Sequence, residues 1–206
     1  AQTKWVSEHH LLQAQEQGIP ITIFRSGQIT VSSQTGLGIA DDFFHNFLKI
    51  FNKVEVVTRW DERVFHIVPV DYASQAVIAV SQQNNCYGKI YHLTNPNPVP
   101  VQDFFDFLQG KSPSLLQISF EEWADRCLQY VSTFPEGTKK TIFMSLFTKQ
   151  DPGLRTFEYY FHKMGISHKN IQKALQTTKV KFPKIDEKWW EKCMKQIASF
   201  DVTKKI

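Results

Sequence analysis

Long apolar runs are missing from this 206-residue chain: no window approaches the roughly 18 uninterrupted apolar residues that a membrane span needs. The first residues also lack the basic-then-apolar order of a secretory signal. No membrane or export route is therefore expected. Cysteine is scarce as well. Cys86, Cys127 and Cys193 are odd in number, far apart and never paired as Cys-x-x-Cys, which argues against a disulfide framework or a structural zinc site and for a reducing, cytoplasmic setting. A Gly-x-Ser-x-Gly elbow, a Walker loop and a His-Glu-x-x-His helix are all absent, and with them the commonest hydrolase and nucleotide-hydrolase readings. His9-His10 stands without a third ligand at metal spacing, and adjacent side chains on a helix point to different faces, so no metal is expected.

What the chain does have is material for a core: 42% hydrophobic residues, with 17 phenylalanines and 5 tryptophans. Its formal charge is only +4, but residues 139 to 206 carry 15 Lys/Arg against 6 Asp/Glu. A basic surface of that kind can steer an acidic or phosphate-bearing partner, although solvated lysines on helix faces need no partner at all. Trp189-Trp190 sits in this basic stretch, but aromatics and arginines do not interleave periodically there. The pair reads as core rather than as a nucleic-acid stacking platform.

Residues 3–17 read as a helix with an incomplete apolar stripe of Trp5, Leu11, Leu12 and Ala14, stopped by Gly18 and Pro20. Residues 19–24 read as a buried strand, and a helix feeding such a strand through a short link is a parallel-sheet pattern. Extended chain over 29–31 and a loop over 32–38 follow. Asp41 or Asp42 would cap a helix over 43–51, and Asp71 would cap a helix over 72–82 after an extended segment at 64–70. A strand at 89–94 completes a helix–strand alternation. After Pro100 the pattern turns helical: 101–109, then a short strand at 115–118, then a helix opened by the capping box Ser119-Phe120-Glu121-Glu122. Further helices are expected at 139–147, 154–164, 167–176 with Ser167 as cap, and 187–199 with Asp186 as cap. The organisation expected is a sheet-bearing portion over 1–98 and a mostly helical lobe over 99–206.

The opening Ala1-Gln2-Thr3-Lys4-Trp5-Val6-Ser7-Glu8, then Gly18-Ile19-Pro20-Ile21-Thr22-Ile23-Phe24-Arg25-Ser26-Gly27-Gln28-Ile29, form a compact helix–strand–loop unit with a candidate active-site amine, Lys4, at its start. This stretch resembles the thioester reductase domains that end many nonribosomal peptide synthetases and carboxylic acid reductases, members of the extended short-chain dehydrogenase/reductases. The resemblance continues through Gly36, Asp41-Asp42-Phe43, Val68-Pro69-Val70-Asp71-Tyr72-Ala73 and Tyr91-His92-Leu93-Thr94-Asn95-Pro96, covering about the first hundred residues well and the remainder loosely. It implies an α/β fold: the C-terminal part of a Rossmann-like domain over 1–98, with a substrate-binding and carrier-docking lobe over 99–206.

The superfamily signature is Tyr-x-x-x-Lys. With only three residues before Lys4, the tyrosine would stand immediately upstream of Ala1, and no glycine-rich pyrophosphate loop occurs in the chain. The sequence is therefore expected to be a piece of a longer reductase, inactive by itself. By resemblance, Lys4 would bind the nicotinamide ribose and lower the pKa of that tyrosine, since a nearby cation favours the phenolate. Arg25, Ser26 and Gly27 stand where relatives carry Arg-Pro-Gly, and Gln28 and Ile29 would line the nicotinamide side of the pocket. Serine in place of proline removes a fixed backbone angle from that loop. The resemblance implies NADPH as cofactor and, as partner, an acyl or peptidyl carrier domain bearing a phosphopantetheine thioester, released as aldehyde or alcohol. Two other readings stay open: a non-catalytic NAD(P)-binding or interaction module of the same fold, and a reductase acting on fatty acyl-CoA or a sugar nucleotide. Asp71 is expected to serve structure rather than chemistry.

Overall fold

In the computed structural model, the structure describes residues 2–39, 42–150, 153, 155–163 and 165–203. The Asp41 alternative for a helix cap lies outside them. Two compact units emerge from the packing. One comprises residues 1–34, 67–96 and 165–183, the other 35–66, 97–164 and 184–206.

The first unit opens with helix α1, Gln2–Glu16. Gly18, in the left-handed region at φ 88°, ends it, as the absence of a Cβ allows. No residue of α1 is buried, which matches its incomplete apolar stripe. Strand β1, Thr22–Ser26, starts three residues later than the sequence suggests, and Ile19 is exposed. It pairs in parallel with β6, Lys89–Leu93, in the register Phe24↔Tyr91 and Ser26↔Leu93. Strand β2, Gln28–Thr30, pairs in parallel with β5, Ile67–Pro69. Helix α3, Val70–Ser81, follows β5 directly and lays Ala73, Ala76 and Val80 on Val68, Tyr91 and Leu93. That spacing is one face of a 3.6-residue helix. Ile171 and Leu175 of helix α8, Lys169–Leu175, close the same core.

Two expectations are corrected here. Asp71 is not the cap of α3, because the helix begins at Val70 and Pro69 occupies the cap position without a side-chain bond. Ser167 does not cap α8 either; His168 holds that position, and the Ser167 carbonyl instead accepts from His92 Nδ1 at 3.2 Å.

The second unit is organised by aromatic rings. Helix α2, Phe43–Lys53, is capped by Asp42, whose carboxylate accepts the His45 amide at 2.7 Å. Its Phe44, Phe47, Leu48 and Phe51 are buried. Phe51 meets Trp123 at 4.8 Å between ring centroids and Phe47 meets Phe161 at 5.2 Å, both edge-on, the geometry that ring quadrupoles favour. Trp123 lies on α5, Phe120–Ser132, whose cap Ser119 accepts the Glu122 amide; this is half of the expected capping box, and the Glu122 carboxylate accepts from Arg126 instead. Helices α4, Val101–Lys111, α6, Thr138–Phe147, and α7, Thr156–Tyr160, add more rings, and α9, Glu187–Thr203, supplies Trp189 and Trp190, both buried. The helix expected over 154–164 is only five residues long, with 154 and 164 outside the described residues.

The extended segment expected at 64–70 divides in two. Strand β4, Val64–Phe65, pairs antiparallel with β7, Val99–Pro100, whereas β5 belongs to the first unit. Strand β3, Val56–Thr58, pairs in parallel with β8, Leu116–Ile118. Sequence periodicity does not reveal β3, because all three of its residues are buried and no alternation marks it.

Candidate functional site

The site is built at the C-terminal end of β1, where ligands of open α/β sheets collect. Arg25 and Ser26 are the last two residues of β1, and the Gly27 amide donates to the Leu93 carbonyl at 2.9 Å, carrying the parallel ladder one residue past the strand. Gln28 and Ile29 then enter β2 opposite Ile67 and Val68, with Gln28 half-buried and Ile29 exposed. The five residues from Arg25 to Ile29 thus form one continuous lip.

Arg25 does not project freely. Its Nε donates to Glu8 Oε2 at 3.0 Å, its Nη2 pairs with Glu8 Oε1, and its Nη1 lies 3.5 Å from His92 Nε2. The Arg25 hydrogen bond, ahead of a smaller opposing effect of burial, holds the Glu8 carboxyl below its usual value, and the same bond raises Arg25. The guanidinium remains about half exposed at 47%, so solvent screens the pair and its stabilisation is under about 1 kcal/mol. Its consequence is positional: it ties α1 to the end of β1.

Lys4 precedes Glu8 by four residues on α1, so the two share a helix face. That face is the one fastened to the Arg25 end of the strand, and Lys4 is exposed on it. Lys4 thus stands one helical turn from the residue that binds Arg25, and no hydrogen bond between Lys4 and residues 25–29 is seen among the described residues. Sequence reasoning did not single out Glu8. Its signal was available in the four-residue spacing from Lys4, but its partner Arg25 stands 17 residues away and only the fold joins them.

A second tether lies behind the lip. The Ser33 hydroxyl donates to Asp71 Oδ2 at 2.6 Å and the Ser33 amide to Asp71 Oδ1 at 2.9 Å, fixing the loop that follows β2 onto the first turn of α3. Burial pushes the Asp71 carboxyl up, but the Ser33 bonds and the nearby backbone amides outweigh it and hold it below its usual value. Beyond β6, Thr94 Oγ1 and His168 Nδ1 lie 3.0 Å apart, and burial, with the charge of His92 second, lowers the His168 pKa. Among the described residues no cluster of three or more His, Cys, Asp or Glu could hold a metal ion. No helix there is long and apolar enough to cross a membrane.

An NAD-binding family model described as male sterility protein matches residues 1–77, the stretch that carries Lys4 and the lip. An aldehyde reductase of Aspergillus flavus, lnbA, is 29% identical over 130 residues, covering 61% of this chain and 13% of the relative. The non-canonical nonribosomal peptide synthetase FrzA of a Cladobotryum species is 27% identical over 193 residues, covering 90% and 18%. Among solved structures, the terminal R domain of the myxalamid PKS-NRPS pathway superposes with a TM-score of 0.78 at 25% identity, over 96% of this chain and 48% of that one. The chain spans less than a fifth of these two curated relatives and about half of that reductase domain. Family match and structural likeness together support a thioester reductase domain of the extended short-chain dehydrogenase/reductase superfamily, the resemblance carried by about the first hundred residues.

Proposed function

We propose that this chain is part of an NADPH-dependent reductase that releases a carrier-bound acyl or peptidyl thioester as an aldehyde or an alcohol. What supports it is the placement of Lys4 one helical turn from Glu8, whose carboxylate binds Arg25 at the C-terminal end of a parallel strand. When bound, the cofactor would supply hydride to the thioester carbonyl. The residues of this chain would do the rest. Lys4, a cation on an exposed helix face, would hold the ribose hydroxyls and favour ionisation of a proton-donating tyrosine. The lip would seat the nicotinamide, with the Gly27 turn fixed by its bond to Leu93. Asp71 would position the lip through Ser33 without touching substrate.

The basic final third, 15 cations against 6 carboxylates, suits an acidic carrier domain delivering its substrate on a phosphopantetheine arm. Three buried free thiols suit a reducing cytoplasm. The chain spans about half of the reductase domain it superposes on, so turnover is proposed for a longer parent. The test is NADPH consumption by that parent with an acyl thioester on its carrier domain. Lys4→Ala should lower turnover by about 10²-fold or more. A rate unchanged by Lys4→Ala would remove Lys4 from the mechanism and leave the proposal without its support.

A further inference from the structure

Within the first unit, where α8 and the segment after α3 meet β6, lies a cavity of about 300 Å³ that the proposed chemistry does not use. Two cations line it, Lys89 of β6 and Lys173 of α8, and no carboxylate among the described residues does. Lys89 Nζ donates to the Asn85 carbonyl at 2.6 Å, which commits one hydrogen of the ammonium and leaves the others. Neither lysine is paired with an acid among the described residues. Residues 165–183, which supply α8, hold four lysines and no Asp or Glu, so the local field is positive. Two hydroxyls add donors. Tyr91 is 2% exposed and lines the cavity, its ring stacked on Phe24 at 5.5 Å, yet its hydroxyl has no hydrogen-bond partner among the described residues. A buried polar group without a partner is costly, and a ligand in the cavity would supply one. Burial raises the Tyr91 pKa, so the hydroxyl keeps its proton at neutral pH. Thr177 contributes the second hydroxyl. The carboxamides present the opposite polarity. Asn170 Nδ2 donates to the Ile90 carbonyl at 2.8 Å, and Gln83 Nε2 donates to the Ala79 and Ala174 carbonyls at 3.2 and 2.8 Å. Their nitrogens are thus turned to the backbone, and their oxygens accept nothing among the described residues.

Cations and hydroxyl donors without a carboxylate fit an oxyanion, and two amide acceptors beside them fit hydroxyl groups on the same molecule. At roughly 30 Å³ per water-sized group, the cavity has room for about ten such groups, the size of a three-carbon polyol phosphate. Lys89 opens β6 and Leu93 closes it, roughly 13 Å apart at about 3.3 Å per residue, and the lip adjoins Leu93. The cavity is therefore set away from the proposed nicotinamide seat. We propose that it is a second ligand site, which binds a small phosphate monoester of a polyol. Lys89, Lys173 and Tyr91 hold the phosphate, and Gln83 and Asn170 accept from the hydroxyls. Such a site does not depend on the reductase reading.

Binding is read without turnover, by calorimetry on the 206-residue chain with glycerol 3-phosphate, inorganic phosphate and glycerol as probes. Glycerol 3-phosphate should bind saturably at one site and at least about tenfold more tightly than inorganic phosphate, since the hydroxyl bonds add to affinity, and glycerol should not bind. Lys89→Gln and Lys173→Gln should each weaken binding by at least about fivefold, and Tyr91→Phe, which removes only the unpartnered hydroxyl, by a few fold. Lys179→Gln, on the same basic segment but outside the cavity, should leave it unchanged. Inorganic phosphate binding as tightly as glycerol 3-phosphate would overturn the polyol assignment and leave a bare oxyanion site. No saturable binding, or a loss with Lys179→Gln equal to that with Lys173→Gln, would overturn the proposal whole, the latter because it reports diffuse attraction to lysines. Should a variant fail to fold, amide NMR shifts of the unsubstituted chain give the answer: shifts induced by glycerol 3-phosphate at Lys89, Asn170 and Thr177 support the site, and shifts confined to residues 25–29 refute it.

Discussion

Removing the Asp71 carboxylate tests the tether that holds the lip from behind. Asp71 accepts two bonds from Ser33, from the hydroxyl at 2.6 Å and from the amide at 2.9 Å. Hydrogen bonds to a charged acceptor contribute about 1.5–3 kcal/mol each when buried. This pair is only part-buried, and water can replace the carboxylate at both Ser33 groups, so each bond contributes less than that range, about 1 kcal/mol, and Asp71→Ala should cost about 2 kcal/mol. For a domain of this size, 1 kcal/mol moves Tm by about 2–4 °C, giving an expected fall of about 4–8 °C by calorimetry at neutral pH. Ser33→Ala removes the hydroxyl bond alone and should cost about 1 kcal/mol. The double variant should cost less than the sum of the singles, because both delete the same contact. The pH dependence fixes the sign. The folded pKa of Asp71 is lowered, so its contribution is fully present above the unfolded value of about 3.9 and is lost as pH falls through the folded value. The gap in stability between the original chain and Asp71→Ala should therefore close in acid. A Tm change under about 1 °C at neutral pH, or strictly additive costs, would refute the tether.

Other expectations follow from packing. Gly36 has φ 75°, and a Cβ built on it would stand 2.8 Å from Lys192 Cβ, so Gly36→Ala should destabilise by about 1–3 kcal/mol, read from denaturant midpoints; an unchanged midpoint would mean that α9 gives way freely. Phe51 is fully buried between Trp123, Phe105 and Phe47, and Phe51→Ala should cost about 3–5 kcal/mol by chemical denaturation. Cys86, Cys127 and Cys193 are all buried, and burial pushes the Cys127 and Cys193 thiols up, so a thiol reagent should label none of the three in the native chain and all three in denaturant. Rapid native labelling of any one of them would contradict that burial.

Much of this fold is legible in local sequence because the responsible interactions are local. The Ser119 cap, the apolar face of α2 and the Gly18 stop each depend on residues within one or two turns, and the structure shows each as expected. Lys4 and residues 25–29 could be named from the first thirty residues because a known pattern runs through them. What the sequence left open depends on pairs distant along the chain. Arg25 meets Glu8 across 17 residues, and Ser33 meets Asp71 across 38. A carboxylate one residue inside a helix looks like a cap until the loop that claims it is seen.

By itself, then, the sequence determined most of the helices, several of the strands, the aromatic core and the family resemblance, since propensity, periodicity and motif are properties of neighbouring residues. Tertiary structure alone decided which strands pair, that 165–183 closes the core of the first unit, and that α1 is fastened to the end of β1. It also opened the cavity beside Tyr91. Those outcomes come from burying apolar area and satisfying polar groups between segments far apart in the chain, and no local pattern encodes which segments will meet.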